Sequence, residues 1–210
     1  MPDEVFDKDY WDAKYRDRHH LWSGDPNPQL VAEATGLAPT TALDVGCGEG
    51  ADAIWLARRG WTVTAVDLAS TALQRAAVHA QEAGGEIAAR IEWREEDVTS
   101  WIPEPGRFGL VSAQFLHFPA QERAVLFGRL AAAVAPGGTL LLVGHHVSDL
   151  QTSVARPPMA ELYFTAEEVA AQLDADAWRT VCEARPRETT DPDGNAVTIQ
   201  DTVLRADRTS

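Results

Sequence analysis

Cysteine, basic charge and long apolar runs are all scarce in this 210-residue chain. The two cysteines, Cys47 and Cys182, belong to no paired-cysteine motif, so the sequence indicates neither a disulfide framework nor a zinc knuckle. Eighteen lysines and arginines stand against 32 aspartates and glutamates, for a formal net charge of −14. Because nucleic-acid affinity comes mainly from clustered basic residues, this balance argues against a nucleic-acid partner.

Segments that would direct the chain to or through a membrane are also missing from the sequence. The first twenty residues are charged throughout and lack the apolar core of a signal peptide. The most apolar stretch, Leu130–Gly144, is interrupted by Pro136, Gly137 and Gly138, so it is not a spanning helix. We therefore expect a cytoplasmic protein without a membrane partner.

What the sequence does contain, from about residue 40 to residue 145, is an alternation of strand-like and helix-like segments. Short β-branched or apolar runs alternate with amphipathic stretches that end at glycines; the strands are predicted at 41–46, 61–67, 90–95, 108–115 and 139–143, and the helices at 51–59, 70–83 and 121–134. Ser70 is expected to cap the second of these helices. This alternation predicts an α/β fold with a mostly parallel sheet and helices on both faces.

The pattern changes after residue 146. Thr165 and Glu168 have the spacing of a capping box and predict a helix start. Two strand-like stretches, about 178–187 and 196–205, flank the turn-forming residues Asp191–Asn195, which predicts an antiparallel hairpin at a sheet edge. We expect a single domain over residues 1–210, with a helical N-terminal extension (1–38), a ligand-binding core (39–146) and a C-terminal part (147–210).

The strongest functional signal is a glycine-rich turn that follows the first strand. Gly46, Gly48 and Gly50 allow a tight turn with close approach to a ligand, and N–H groups of the following helix can favour an anion. Asp67 ends the next strand, where a carboxylate can bind both hydroxyls of a ribose. Asp97 follows the third strand, in the place for the edge of an adenine ring. Together these features predict a nucleoside pocket at the carboxyl ends of adjacent strands.

Two classes of nucleoside ligand are consistent with this turn. Residues 46–51 satisfy the dinucleotide pattern G-x-G-x-x-G/A, so a nicotinamide or flavin oxidoreductase is one hypothesis. After Val143, however, no second set of helix-linked parallel strands follows. S-adenosylmethionine is the other candidate, because its ammonium can find acceptors at the turn and the acid Asp44 stands at the end of the first strand.

The motifs resemble those of the class I S-adenosylmethionine-dependent methyltransferases. The resemblance is carried by Asp44–Gly50, Val66–Asp67, Glu96–Val98 and Pro136–Gly138. More finely, Tyr10–Tyr15, Trp22–Pro28 and the tail from Phe164 are similar to the thiopurine, halide/thiol and tellurite-resistance methyltransferases. The resemblance implies a Rossmann-like, mostly parallel seven-stranded sheet with an antiparallel C-terminal hairpin at one edge, and S-adenosylmethionine as cofactor.

The same resemblance assigns roles to individual residues in cofactor binding. Residues at the ends of the first three strands would hold the methionine part, the ribose and the adenine. Residues of the N-terminal helix would close over the cofactor, and residues at the end of the fourth strand would flank the sulfonium. They are Asp44, Gly46, Cys47, Gly48, Asp67, Leu68, Asp97, Val98, Trp11, Tyr15, Gln114 and Phe115. Cys47 is interpreted as a small filler of the turn and not as a nucleophile.

Several histidines follow predicted strands, where parallel-sheet proteins bind ligands. His117 comes after the fourth strand, and His145 and His146 come after the fifth. We hypothesise that one of these three is a general base or orients the substrate. Together with His19 and His20 they show no metal-ligand spacing, so no metal is predicted.

The resulting functional hypothesis is methyl transfer to a small-molecule nucleophile by in-line displacement. A thiol, a selenium or tellurium species or a halide would need no base, whereas an oxygen or nitrogen acceptor on a small aromatic molecule would have to lose its proton. Two alternatives stay open: a nicotinamide- or flavin-dependent oxidoreductase, and a binding protein for an adenosine ligand that has no catalytic activity.

Overall fold

The computed structural model describes residues 7–16 and 24–209 of the chain. Their seven strands, numbered β1 to β7 along the chain with the bounds given below, form a mixed sheet in the order β3-β2-β1-β4-β5-β7-β6, which confirms the predicted fold class. The chain divides into an N-terminal unit, up to Ile102, and a C-terminal unit, from Pro103 onward.

Three parallel strands form the sheet of the N-terminal unit. The elements of this unit, in chain order, are α1 (Lys8–Arg16), α2 (Pro28–Ala34), β1 (Thr41–Val45), α3 (Ala51–Arg58), β2 (Thr62–Asp67), α4 (Ser70–Ala83), α5 (Gly85–Ala88) and β3 (Ile91–Glu95). Strand β2 pairs with β1 on one side and with β3 on the other. Its residues from Val63 to Val66 are buried, as expected for a strand covered on both faces. The predicted strands and helices of this unit are confirmed to within one or two residues, and the short helix α5 was not predicted.

The start of α4 corrects one sequence-based expectation. Ser70 does not cap this helix, because the N-cap position is Ala69 and no side chain at that position bonds the first turn. Two carboxylates from elsewhere accept the free amides instead: Asp67 binds the N–H of Ala69 at 2.8 Å and Asp12 of α1 binds the N–H of Thr71 at 3.0 Å. A negative group at a helix N-terminus is favourable, so α1 and the end of β2 together replace the local cap.

The C-terminal unit contains four strands and their connections. Its elements are β4 (Phe108–Gln114), α6 (Ala120–Ala133), β5 (Val134–His145), two short 3₁₀ turns (Val147–Gln151 and Ala160–Leu162), α7 (Ala166–Ala170), β6 (Trp178–Thr190) and β7 (Ala196–Arg208). Strand β4 is parallel to β5, whereas β7 runs antiparallel to both β5 and β6. The predicted hairpin and the Thr165–Glu168 capping box are confirmed. Strand β5 begins five residues earlier than predicted, at Val134 and not at Thr139.

Strand β5 forms the apolar centre of the C-terminal unit. Leu140, Leu141 and Leu142 are fully buried, in agreement with the uninterrupted apolar run in the sequence. At its end, a β-carbon on Gly144 would lie 2.6 Å from the ring of Phe164. Glycine is therefore required at this position for Phe164 to pack on the strand. None of the described helices is long and apolar enough to cross a membrane.

Gly50 offers a direct test of the packing around the glycine turn. Its φ is +85°, and an added β-carbon would lie 2.6 Å from the Trp93 ring. We expect Gly50→Ala to lower the free energy of unfolding by roughly 2–4 kcal/mol, because backbone strain and overpacking add. Urea denaturation would measure the change. Gly36→Ala, with open space around its β-carbon, is the matched control and should change stability little; equal effects would contradict this account.

Candidate functional site

The glycine turn between β1 and α3 has most of its N–H groups occupied by the protein itself. The amides of Gly46 and Cys47 both donate to the carbonyl of Val66, at 2.9 and 3.1 Å, and that of Gly50 donates to Cys47 at 2.9 Å. The amide of Gly48 donates to the Asp67 carboxylate at 2.8 Å. These four amides are therefore not free to bind an anion, because nearby carbonyl and carboxylate oxygens already accept from them. The expectation that N–H groups of the following helix favour an anion stays a prediction.

Buried carboxylates face this turn in place of free amides. Asp44 at the end of β1 is 2% exposed; it accepts a bond from the backbone of Ala53, and its Oδ2 has no partner among the described residues. Burial raises the pKa of Asp44 well above its usual range, and the charges of Asp52 and Asp67 add to the shift. The site thus holds an acid that lacks a counter-charge.

Asp52, in the first turn of α3, is the second of these acids. Burial raises its pKa to about 6, although the amide of Asn27 donates to its Oδ1 at 2.6 Å and opposes the shift. Sequence reasoning did not single out Asp52, since an acid in the first turn of a helix is ordinary. The only available signal was its position two residues after the last glycine of the turn.

Asp67 lies at the end of β2, where the sequence placed it. Its carboxylate accepts from Gly48 and Ala69, each at 2.8 Å, so the carboxylate connects the glycine turn to the start of α4. Burial raises its pKa despite these two amide bonds, and Asp12 contributes to the same shift. Asp67 is thereby held rigidly at the strand end, with its oxygens able to accept further hydrogen bonds.

The remaining predicted residues at this edge have less constrained surroundings. Asp97 lies two residues beyond β3 and is exposed; its Oδ1 accepts from the backbone and hydroxyl of Thr99 at 2.9 and 2.7 Å. Leu68 and Val98 are half-buried. Cys47 is buried with a raised thiol pKa, mainly because of burial. A thiol that is hard to ionise agrees with the interpretation of Cys47 as a filler.

Helix α1 places the two predicted aromatic residues next to the start of α4. The rings of Trp11 and Tyr15 are 6.4 Å apart, and both pack against Ala69 and Ala72. The two aromatics therefore share one helix face, as their spacing requires. Their role in closing over a cofactor stays a prediction.

Polar contacts near its start also hold α1 against strand ends. The ammonium of Lys8 lies 2.6 Å from Glu95 Oε1, at the end of β3, and donates to the carbonyl of Leu68 at 3.2 Å. Burial works to raise the pKa of Asp12, but the amide of Thr71 and the ammonium of Lys8 together lower it. Asp12 thus remains charged. Neither Lys8 nor Asp12 was singled out from sequence, because contacts to residues so distant in the chain leave no local pattern.

In the C-terminal unit the predicted residues after β4 and β5 come close to one another. The ring of Phe115 stacks on that of His145 with centroids 4.5 Å apart, and His117 lies 5.5 Å from His145. Phe115 has a φ of +53°, which is unusual for a residue with a side chain. Gln114 donates to Ser112 at 2.7 Å, while its buried Oε1 has no partner among the described residues.

The three candidate catalytic histidines differ in their surroundings. Burial lowers the pKa of His145 to about 3, and the charges of Arg156, His117 and Arg187 act in the same direction; its Nδ1 is buried without a partner in the described chain. His146 Nδ1 instead contacts Ser148, with its hydroxyl at 2.9 Å, at the start of a 3₁₀ turn. That contact is a local structural one. The general-base hypothesis stays a prediction.

No group of three or more metal-binding side chains suited to an ion occurs in residues 7–16 and 24–209. His19, His20 and Trp22, which the sequence analysis placed in the N-terminal extension, lie outside the described residues.

Comparison with known proteins identifies relatives by sequence. Residues 42–138 match the model of a family described as a methyltransferase domain. The chain is 36% identical over 135 residues to a ubiquinone biosynthesis O-methyltransferase of Paracidovorax citrulli, covering 61% of this chain and 53% of that protein. It is 32% identical over 126 residues to a 2-heptyl-1-hydroxyquinolin-4(1H)-one methyltransferase of Mycobacteroides abscessus, covering 58% and 54%. The chain thus spans about half the length of these curated relatives.

Solved structures support the same fold. One similar structure is the 1,6-didemethyltoxoflavin-N1-methyltransferase of Burkholderia thailandensis, which contains 1,6-didemethyltoxoflavin and S-adenosylhomocysteine. It superposes with a TM-score of 0.67 at 22% identity, over 97% of this chain and 87% of that one. At this identity the likeness shows the fold alone.

The unpaired carboxylate of Asp44 leads to a stability prediction. Because folding raises its pKa above the ordinary value of 3.8, ionised Asp44 destabilises the native state at neutral and alkaline pH, and the effect vanishes when the group is protonated. We expect Asp44→Asn to raise the free energy of unfolding by roughly 1–2 kcal/mol at about pH 8 and to change it little at about pH 3. Urea denaturation at both pH values measures this, with the exposed Glu86→Gln as control. A destabilised Asp44→Asn at the alkaline pH would contradict the prediction.

Proposed function

We propose that this chain is a class I S-adenosylmethionine-dependent methyltransferase, as its match to a methyltransferase domain supports, and that it transfers a methyl group to a small molecule at a hydroxyl oxygen. The family match confirms the predicted cofactor. The nature of the acceptor, the cytoplasmic location and the absence of a nucleic-acid partner remain predictions.

One observation carries the cofactor part of the proposal: the glycine turn presents a buried carboxylate oxygen where a dinucleotide site would present amides. Asp44 Oδ2 lacks a partner among the described residues, and Asp52 and Asp67 raise the pKa of Asp44 further. A pyrophosphate would place further negative charge beside the carboxyl groups of Asp44, Asp52 and Asp67, which this environment disfavours. A methionyl ammonium or a sulfonium would supply the missing counter-charge, so the residues present fit S-adenosylmethionine and disfavour the nicotinamide or flavin alternative.

The residues of the N-terminal unit then have distinct tasks. Asp44 and Asp52 would pair with the positive part of the cofactor, and Asp67 would accept from the ribose hydroxyls while its amide bonds hold it in place. Trp11 and Tyr15 would exclude water from the same region. When bound, S-adenosylmethionine supplies an electrophilic methyl group. Confinement of well-oriented reactants can contribute about 7–11 kcal/mol to such a transfer.

The hydroxyl acceptor is supported by the names of two curated relatives. One is named for O-methylation in ubiquinone biosynthesis, and the other for a substrate that carries a 1-hydroxy group on a quinolinone ring. A methyl-donor assay with phenols, N-hydroxy compounds, thiols, selenide, tellurite and ring nitrogens tests the proposal. Methyl ethers should be the main products; methylation of thiols or tellurite alone would contradict the hydroxyl acceptor.

Asp67 provides the mutational test of the cofactor site. Asp67→Ala removes a charged acceptor from the ribose and frees the amides of Gly48 and Ala69. Because each hydrogen bond to a charged group contributes about 1.5–3 kcal/mol, we expect the affinity for S-adenosylhomocysteine to fall roughly 10- to 100-fold. Calorimetric titration measures this, with Glu86→Gln as control. An unchanged affinity in a folded Asp67→Ala protein would remove Asp67 from the site.

A second prediction concerns the pH dependence of cofactor binding. The pKa of Asp52 is raised to about 6, and a cationic ligand favours the ionised carboxylate. Binding of S-adenosylhomocysteine should therefore release a proton, and its affinity should rise between about pH 5 and pH 7. Calorimetry in two buffers of different ionisation enthalpy counts the protons. Asp52→Asn should flatten the profile, whereas a profile that falls with pH would contradict the pairing.

A further inference from the structure

Five side chains of the C-terminal unit form what we call the cationic cluster: Phe115, His117, His145, Arg156 and Arg187. Phe115 and His117 follow β4 and His145 is the last residue of β5, so these three lie at the carboxyl ends of parallel strands, where proteins of this architecture bind ligands. Arg187 comes from β6 and Arg156 from the segment after the first 3₁₀ turn. The two arginines are its charged members, in a chain whose formal net charge is −14.

Buried carboxylates hold both arginines in place. Arg187 makes a two-pronged ion pair with Asp201, at 2.9 and 3.0 Å, and Asp201 has no exposed surface. Arg156 lies 3.4 Å from Asp149, which is also fully buried and accepts from the amide of Gln200 at 2.9 Å. A guanidinium oriented in this way can bind an oxygen anion with little loss of side-chain entropy.

The strand register explains why these groups meet. Asp201 on β7 pairs with His145 on β5 and with Arg185 on β6. Residues in register on neighbouring strands have their side chains on the same face of the sheet. Arg187 lies two residues from Arg185 on β6, so its side chain is on this face as well. Asp201 therefore stands in the same row as His145 and fixes Arg187 near it.

The cluster also has a flat aromatic surface. The planes of the stacked Phe115 and His145 rings are inclined to each other by 30°. The guanidinium of Arg187 is 5.9 Å from the centre of the Phe115 ring. The positive φ of Phe115 is a strained conformation that the surrounding structure has to maintain. A planar ring of a ligand could stack on this surface while the arginines contact its substituents.

We propose that the acceptor is an aromatic compound with an acidic hydroxyl, and that Arg156 and Arg187 bind it as an oxyanion against Phe115 and His145. The proposal rests on the methyltransferase function proposed above and names its substrate class. In the reaction, the oxyanion forms the new O–CH₃ bond while the S–CH₃ bond breaks, and the sulfur keeps the bonding pair. The hydroxyl proton has left to solvent on binding, so no protein base accepts it during transfer.

The electrostatics of the cluster favour this route over a histidine base. The pKa of His145 is lowered to about 3, so its imidazole is neutral at physiological pH and a poor proton acceptor. The groups around it are the cations Arg156 and Arg187, the ring of His117, and the carboxylates of Asp149 and Asp201. Positive charge within a few ångströms lowers the pKa of a bound hydroxyl.

A coloured phenol tests the proposal directly. 4-Nitrophenol absorbs visible light only when ionised, so a titration with the full-length protein, with and without S-adenosylhomocysteine, reports the pKa of the bound probe. We expect this pKa to lie about one to three units below that of the free phenol. Absence of binding, or binding in the neutral form, would overturn the proposal.

Variants distinguish the effect of Arg187 on the pKa of the bound probe from general effects on folding. Removal of Arg187 alone would leave the buried carboxylate of Asp201 without its guanidinium partner, which is strongly destabilising, so Arg187→Met is combined with Asp201→Asn. We expect this pair to abolish most of the probe's pKa shift. The control is Arg179→Met, at an exposed position on the same strand, and it should keep the shift. A full shift in the double variant, at unchanged affinity for S-adenosylhomocysteine, would overturn the role of Arg187.

The experiments distinguish a wrong acceptor class from a wrong proposal of methyl transfer. If S-adenosylhomocysteine binds and only thiols or tellurite are methylated, the acidic-hydroxyl acceptor is wrong while methyl transfer stands. If S-adenosylhomocysteine does not bind and no acceptor in the panel is methylated, the proposed function itself fails. A series of phenols of falling pKa should be methylated with rising kcat/KM at pH 6 in the wild type, and the trend should steepen in the double variant.

Discussion

The glycine turn after β1 places buried acids next to one another without a counter-charge, and the N-terminal unit is built around that arrangement. Positive φ angles at Gly46, Gly48 and Gly50 let the chain turn back under the end of β2. The turn's own amides are then occupied by Val66 and Asp67. The carboxylate of Asp44 is left buried with one oxygen unpartnered in the described chain. Such a site is unfavourable when empty and favourable when a cation enters it.

Other parts of the N-terminal unit hold this arrangement in place. The carboxylate of Glu49 pairs with Arg75 of α4 at 2.9 Å, and Gly50 fits against Trp93. Asp12 and Asp67 complete the first turn of α4. Rigid support of this kind keeps ligand-binding groups oriented before the ligand arrives, which lowers the entropy lost on binding. The carboxylates therefore combine a structural task with the binding task proposed for them.

In the C-terminal unit, two buried carboxylates are paired with arginines. These two acids, Asp149 and Asp201, have no exposed surface, and the ion pairs compensate their charge. The cost of burying these pairs is reduced by further bonds, such as that from Gln200 to Asp149. Among the described residues, the N-terminal unit thus has a buried carboxylate oxygen of Asp44 without a partner, and the C-terminal unit has guanidinium groups that keep N–H donors beyond their ion pairs. A cationic cofactor and an anionic acceptor are the ligands that these two environments favour.

The amino-acid sequence by itself determined the order of strands and helices and the hairpin, and it pointed to a methyltransferase domain, because these depend on local periodicity, turn residues and short motifs. It also placed Asp44, Asp67 and the histidines at strand ends. Only the tertiary structure decided that Asp12 and not Ser70 caps α4, that Asp52 joins Asp44, and that Arg187 faces His145. Each of these contacts joins residues that are distant along the chain or that sit in locally ordinary positions. Their electrostatic effect arises from burial and strand register, which no local sequence pattern records.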